Sequence, residues 1–426
     1  MAYRNRSNTF DQKYWTLDEF RQWQDMCLHC GACLGHGPMD PHNNEEISPH
    51  DWNSPDRKCP SMEYYKFKTF GGQGRLLNAA AVWRDGAEIT EDMIQIMYTC
   101  STCGVCNECC PTFEPMQVIL AAREEIVEQG KPMPEPLPEL CENMEKKHNL
   151  FGLKERAKAV PDLPKKGENL YFTGCYTSYL LPQIGYVNAE LLKAGGLDVC
   201  HLGEEEFCCG EVARQAGNIE LFRKIARENI EKVKATGAKR VICSCAHCFK
   251  TWAQDYAWAL QEELPFKVVH VIEVLKELVE EGKLKPEIPV DRAVTYHDPC
   301  FLRGIDFNDR NAKIPDFVDY HKAARDLMSK IPGLELKEME RYGRWSYCCG
   351  VGGKIALNCY PDFAAEIGNE RAKEAKQAAD EVITACPACY NQLRYTANAD
   401  DIDLKVQDIS MLLAESCGIA VGPMSK

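Results

Sequence analysis

Cysteine is the residue type that can do chemistry here, and its spacing says which kind. The run Cys100-Ser-Thr-Cys103-Gly-Val-Cys106-Asn-Glu-Cys109-Cys110-Pro111 sets three thiols at two-residue gaps, with a fourth three residues on and a proline behind it. Gaps this short let one tight loop aim three thiolates at three corners of a cube, as a cubane [4Fe–4S] cluster requires. Pro111 ends the loop without offering an amide that needs a partner. An earlier group, Cys27-Leu-His-Cys30-Gly-Ala-Cys33, repeats the two-residue gaps. Its C-P element, Cys59-Pro60, comes only after a polar loop containing His42, Asn43, Asn44 and Pro49.

The two runs follow the bacterial ferredoxin pattern, in which the fourth cysteine of each run ligates the other cluster. That rule assigns Cys27, Cys30, Cys33 and Cys110 to one cube, and Cys59, Cys100, Cys103 and Cys106 to the other. Cys109 competes with Cys110, whose three-residue gap and following proline fit better. Zinc is the alternative occupant of each group, but the paired runs depart from zinc-ribbon spacing. His29 lies inside the first loop as a neighbour that tunes potential or faces solvent.

Ten further cysteines form two matching quintets: Cys175, Cys208, Cys209, Cys245 and Cys248, then Cys300, Cys348, Cys349, Cys386 and Cys389. Corresponding cysteines are offset by 125, 140 and 141 residues (175 to 300, 208 to 348, 245 to 386). The flanking residues repeat as well: Tyr171-Phe-Thr-Gly-Cys175 matches Val294-Thr-Tyr-His-Asp-Pro-Cys300, and Val241-Ile-Cys-Ser-Cys245 matches Val382-Ile-Thr-Ala-Cys386. The offsets leave about fifteen extra residues in the second copy, around 308–322. Five thiols exceed what a tetrahedral zinc site needs. Adjacent thiolates followed by glycine can reach two metals or bridge two irons.

Elements must position these thiols. Helices are expected over 17–26, 74–83 and 113–129. Lys131-Pro-Met-Pro-Glu-Pro-Leu-Pro marks a stiff connector, and the charged stretch to 166 reads as the rest of a linker in which Cys141 is a bystander. Strand signals at 169–174, 197–201, 240–243 and 268–272 alternate with helix signals at 179–194, 218–235, 247–262 and up to 280, an α/β layer pattern with a mostly parallel sheet. Each quintet then stands at or just after strand ends, where ligands collect in such sheets. The domains expected are 1–130 (two-cubane, helical), 131–166 (linker), 167–290 and 291–426 (paired α/β units meeting at their cysteine loops), an α+β protein overall. The tail from Cys417 reads as frayed.

Composition limits the role. The chain has 426 residues, 24 of them cysteine, and a net charge of −14. That charge argues against nucleic-acid binding, which needs a basic face. No apolar signal core opens the chain and no run of about 18 apolar residues suggests a membrane span. A cytoplasmic redox or metal protein fits better than a disulfide scaffold. No G-x-G-x-x-G follows a strand, so flavin or nicotinamide chemistry is expected from other subunits.

Taken together, C-x32-C-C-x35-C-x2-C followed by C-x47-C-C-x36-C-x2-C resembles the twin cysteine-rich CCG domains of heterodisulfide reductases. The N-terminal half resembles the two-cubane part of the same enzymes, and the order matches their fused catalytic subunit over about residues 20–415. The resemblance implies two cubane and two noncubane [4Fe–4S] clusters, each noncubane cluster on one quintet, with a disulfide cleaved between them. It implies partner subunits, flavin-containing or membrane cytochrome, that supply electrons, and a cytoplasmic location, peripheral to the membrane only through a partner. The alternative within the resemblance is an electron-relay subunit of a flavin-bifurcating, acyl-CoA-reducing or quinone-linked complex. His297 and His247, three and one residues from quintet cysteines, are the candidate proton donors. Arg303 and Lys354 are candidates for attracting an anionic substrate, with exposed ion pairs as the competing reading. Cys200, Cys243 and Cys359 read as core or neighbouring thiols, and Gly350-Val-Gly-Gly353 as backbone that approaches a cluster.

Overall fold

The computed structural model describes residues 17–27, 31, 33, 59–110, 113–156, 159–303 and 318–420. Cys30, His29, Pro111, the polar loop before Cys59, most of the extra segment of the second copy and the end of the tail lie outside them. The described residues up to about 150 form helices and the loops between them. The helices Gly72–Trp83 and Pro115–Glu128 pack on each other, and Pro115–Glu128 also packs on Leu17–Trp23. Pro115, at the first helical position, sets the start of its helix two residues later than periodicity suggests.

The expected linker holds a further helix, Leu137–Lys147, which buries Leu137, Cys141 and Met144. The prolines hide it in the sequence, yet a proline in the first helical turn is tolerated because its amide would have no partner there. Cys141 is therefore a core residue and not a bystander in a loop.

Two four-stranded parallel sheets follow. The first takes β1 (Asn169–Phe172), β2 (Val199–Cys200), β3 (Arg240–Cys243) and β4 (Lys267–His270) in the order β2-β1-β3-β4. The second takes β5 (Arg292–His297), β6 (Leu334–Leu336), β7 (Glu381–Thr384) and β8 (Lys405–Asp408) in the order β6-β5-β7-β8. The sheets have the same topology, as the sequence repeat requires. Three helix expectations are refined. The helix expected from 179 is two helices, Gly174–Tyr179 and Pro182–Ala194, because Pro182 restarts the chain. The helix after Cys245 contains a π-turn, Thr251–Asp255, around the buried Trp252. The strand expected to 272 stops at His270, whose ring caps the following helix by accepting from the Ile272 amide.

The helical part is locked to the first sheet unit by buried polar contacts. Tyr98 donates its hydroxyl to the Ala216 carbonyl at 2.7 Å. Arg123 donates to the carbonyls of Met97, Cys100 and Gln215, and Arg214 pairs with Glu124. Gly217 closes the joint: its φ is +83°, and a Cβ there would lie 2.4 Å from the Arg123 carbonyl oxygen. Gly217→Ala should therefore cost about 2 kcal/mol or more, through left-handed strain and backbone overlap. Anaerobic unfolding should show the loss as a lower midpoint.

Candidate metal centres

Each half of the structure is built so that its cysteines converge. In the helical part, Cys33, Cys59, Cys103, Cys106 and Cys110 are buried, and Cys27, Cys100 and Cys109 are half-buried. Burial pushes the Cys33 thiol far up; among its thiol neighbours Cys110 acts most strongly, then Cys27, with Cys109 weakest. Burial, followed by Cys100 and Cys103, does the same to Cys106. Cys59 has Cys100 as its nearest influence among thiols. Cys33 also has Cys59 among its neighbours, ahead of Cys109, and Cys106 has Cys33 and Cys59, so these cysteines share one buried region; Cys30 lies outside the described residues. Gly72 keeps the sets close, since a Cβ there would meet the Cys33 carbonyl oxygen at 2.9 Å and the Cys106 Cβ at 3.2 Å. The buried Arg75 braces this region, reaching Ser61 beside Cys59, Thr99 beside Cys100 and the Phe70 carbonyl.

The sheet units gather their quintets at the carboxyl ends of the strands. Close thiol–thiol contacts link Cys175 to Cys208, Cys208 to Cys209, Cys209 to Cys248 and Cys248 to Cys245. The same chain of contacts runs through Cys300, Cys348, Cys349, Cys389 and Cys386. All ten are buried. Matching backbone amides point at matching sulfurs: Gly210 donates to Cys208 Sγ at 3.5 Å, and Gly350 to Cys348 Sγ at 3.4 Å. Gly174, at φ +75°, leaves room for Cys248, whose sulfur would lie 2.8 Å from a Cβ on it.

The two quintets face each other. Cys245 Sγ and Cys386 Sγ, 141 positions apart in the chain, approach to 3.9 Å. The second quintet also touches the helical part: Cys348 is the strongest thiol neighbour of Cys103, whose buried thiol rises to about 12. Arg303 bridges the two, donating to the carbonyls of Cys103 and Ser346. The two quintets therefore meet at Cys245 and Cys386, and the second lies beside Cys103 of the helical part.

Both candidate histidines are buried beside a quintet, but they are held oppositely. His297 accepts at Nδ1 from Arg371 Nε at 3.0 Å, which places its hydrogen on Nε2. Burial and then Arg371 lower its pKa to about 3, so the ring is neutral. Its Nε2 has no hydrogen-bond partner among the described residues, and a ring nitrogen lies within 4.8 Å of Cys349 and Cys389 Sγ. His247 instead gives Nδ1 to Glu211 at 3.3 Å and stacks on Phe301 at 4.0 Å. Arg303 and Lys354 are both buried, so the exposed ion-pair reading fails for each. Lys354 pairs with Glu211 at 2.8 Å.

Sequence reasoning missed Glu211, Arg371 and Glu206. Glu211 directly follows Cys-Cys-Gly, which was its only signal. Glu206 accepts from the Thr173 and Gly174 amides beside Cys175 and from Arg156.

The donor sets suit iron–sulfur clusters: thiolates in converging groups, with amides and cations around them. Comparison with known proteins agrees. The 4Fe-4S dicluster domain matches residues 23–113, and the cysteine-rich domain matches 169–251 and again 294–394. A subunit of the dihydromethanophenazine:CoB--CoM heterodisulfide reductase of Methanosarcina acetivorans is 30% identical, covering 93% of this chain and 95% of that one. The same subunit of Methanosarcina mazei is 31% identical, over 93% and 94%. The chain belongs to this family of heterodisulfide reductase subunits. As a member of it, this is an iron–sulfur oxidoreductase subunit that carries [4Fe–4S] clusters. A more distant relative, the EtfAB:quinone oxidoreductase of Syntrophomonas wolfei, is 25% identical over 91% of this chain and 57% of its own length. No helix among the described residues is long and apolar enough to cross a membrane.

Glu206 gives the first quintet a pH limit. Burial disfavours its charge, but Arg156, His201 and Thr173 outweigh burial and hold its pKa at about 2. A depressed carboxylate stabilises the fold above its unfolded pKa, and that stability is lost as pH falls through the folded value. The window here runs from about 4.5 down to about 2. Glu206→Gln should cost on the order of 3 kcal/mol at neutral pH and flatten the pH dependence of unfolding in that window.

Proposed function

We propose that the chain is the disulfide-reducing subunit of a heterodisulfide reductase-type complex. Two complete quintets meeting at Cys245 and Cys386, 3.9 Å apart, carry this reading. Cys27, Cys30, Cys33 and Cys110 hold one cubane cluster, and Cys59, Cys100, Cys103 and Cys106 the other. Cys175, Cys208, Cys209, Cys245 and Cys248 hold one noncubane cluster; Cys300, Cys348, Cys349, Cys386 and Cys389 hold its partner. The working units are residues 1–130, the connecting stretch 131–166, and the sheet units 167–290 and 291–426. When bound, the clusters supply electrons singly and offer iron to sulfur. Reducing one disulfide takes two electrons and two protons and yields two thiols.

The chain's own residues manage protons and access. Arg371 keeps His297 as a neutral ring with its Nε2 hydrogen available near Cys349 and Cys389, suited to donate toward a sulfur there. Glu211 orients His247 on the first quintet. Electrons come from a partner subunit, flavin-containing or a membrane cytochrome, with this chain on the cytoplasmic side. The EtfAB:quinone oxidoreductase relative favours a second reading, an electron relay to a quinone-linked partner. Turnover of a disulfide with a reduced one-electron dye separates the two, since a pure relay leaves the disulfide intact.

Anaerobically isolated chain should carry roughly sixteen iron and sixteen sulfide. Cys209→Ser should remove about four of each and end disulfide turnover while leaving the cubane signals. Zinc in either quintet would sink the reading. Replacing His247 and His297 together by Asn should slow turnover by at least tenfold, roughly the lower end of general acid–base contributions, and alter its pH profile. An unchanged rate and profile would remove both histidines from proton transfer.

A further inference from the structure

The two quintets repeat in sequence, but the charges around them do not. Lys354 stands five residues after Cys349, and its repeat partner, at the offset of 140 that relates the cysteine pairs, is Arg214. Arg214 turns away from the quintets, pairs with Glu124 of the helical part and lies over the Trp258 ring at 4.0 Å. Lys354 turns the other way. Three glycines with positive φ, Gly350, Gly352 and Gly353, bend the loop ahead of it, and Lys354 itself has φ 61°. This path sends a side chain of the second unit into the first.

There its ammonium meets Glu211 Oε2 at 2.8 Å, while Glu211 Oε1 meets His247. Lys354 and Glu211 are both buried. Burial opposes the Lys354 charge, but Glu211 and then Cys209, Cys245 and Cys248 outweigh it and hold the ammonium well above the usual lysine range. Those three thiols all belong to the first quintet. The second quintet has Val351 where the first has Glu211, so no equivalent pair faces it.

We propose that Lys354 and Glu211 form a charge pair, reaching across the units, that sets the reduction potential of the group held by the first quintet independently of the second. The proposal rests on the cluster assignment above. A fixed cation beside a thiolate-bound cluster favours the reduced, more negative form, and a carboxylate disfavours it. The dry surroundings strengthen both effects. The pair thereby makes the two faces of the disulfide site unequal although their ligands match. It also ties the first-unit potential to correct docking of the second unit, because the cation arrives from there.

The test is an anaerobic, EPR-monitored redox titration of the full chain, with the first-unit signal identified by its loss in Cys245→Ala. Lys354→Met should move that midpoint negative, Glu211→Gln should move it positive, and Lys354→Arg should leave it near wild type. The second-unit and cubane midpoints should stay in place. Opposite signs are what a merely structural role would not produce. Midpoints that stay put, or move the same way in both variants, overturn the inference and leave the cluster assignment standing. If the single variants lose first-unit iron, the paired variant Lys354→Met with Glu211→Gln decides. Retained iron in the pair supports a charge effect, because no lone charge is left buried, and lost iron overturns it. A wild-type chain without any first-unit cluster overturns the assignment itself, and the inference with it.

Discussion

Ten thiols buried against one another are the constraint on which the rest of the structure depends. A thiol must give up its proton to bind iron, and each lost proton leaves a negative charge in an interior where charge is costly. Burial above all drives Cys386 toward the protonated form. The surroundings answer with donors: the Gly210 and Gly350 amides, the Lys354 ammonium and the Arg303 guanidinium. Gly210 and Gly350 both have positive φ, which a residue without Cβ adopts without strain. Gly174 has no room for a methyl group beside Cys248.

A repeated unit does not by itself make a symmetric site. The sheets share their strand order, and the quintets share their internal contacts. The differences come from what each unit is packed against. The first unit is joined to the helical part through Arg214, Gly217 and the Tyr98 hydroxyl, and at its thiols the Cys208 amide donates to the His148 carbonyl at 2.8 Å. The second unit is joined to it through Cys103 and Arg303, next to its thiols. The second quintet thereby has Cys103 of the helical part beside it.

The histidines illustrate how packing sets a role that residue type leaves open. His297 and His247 stand near matching cysteines, yet an arginine fixes one ring and a glutamate the other. The same imidazole becomes a neutral hydrogen donor in one place and a partner of a carboxylate in the other.

Cysteine grouping, the repeat and the parallel α/β pattern were legible in the chain, because each rests on local spacing or on strand and helix periods that neighbours in sequence enforce. Boundaries were less so: Pro182 splits one helix, a π-turn at Thr251 interrupts another, and four prolines hide the helix Leu137–Lys147. In the helix Leu137–Lys147 packing of a buried face outweighed a local preference. What only the tertiary structure decided is the meeting of Cys245 with Cys386, the burial of Arg303 and Lys354, and the pairing of Lys354 with Glu211 across 143 positions. Sequence spacing cannot encode these, because they depend on which faces of two separately folded sheets come together. Charge also reads the same in a sequence whether water or a thiolate lies beside it.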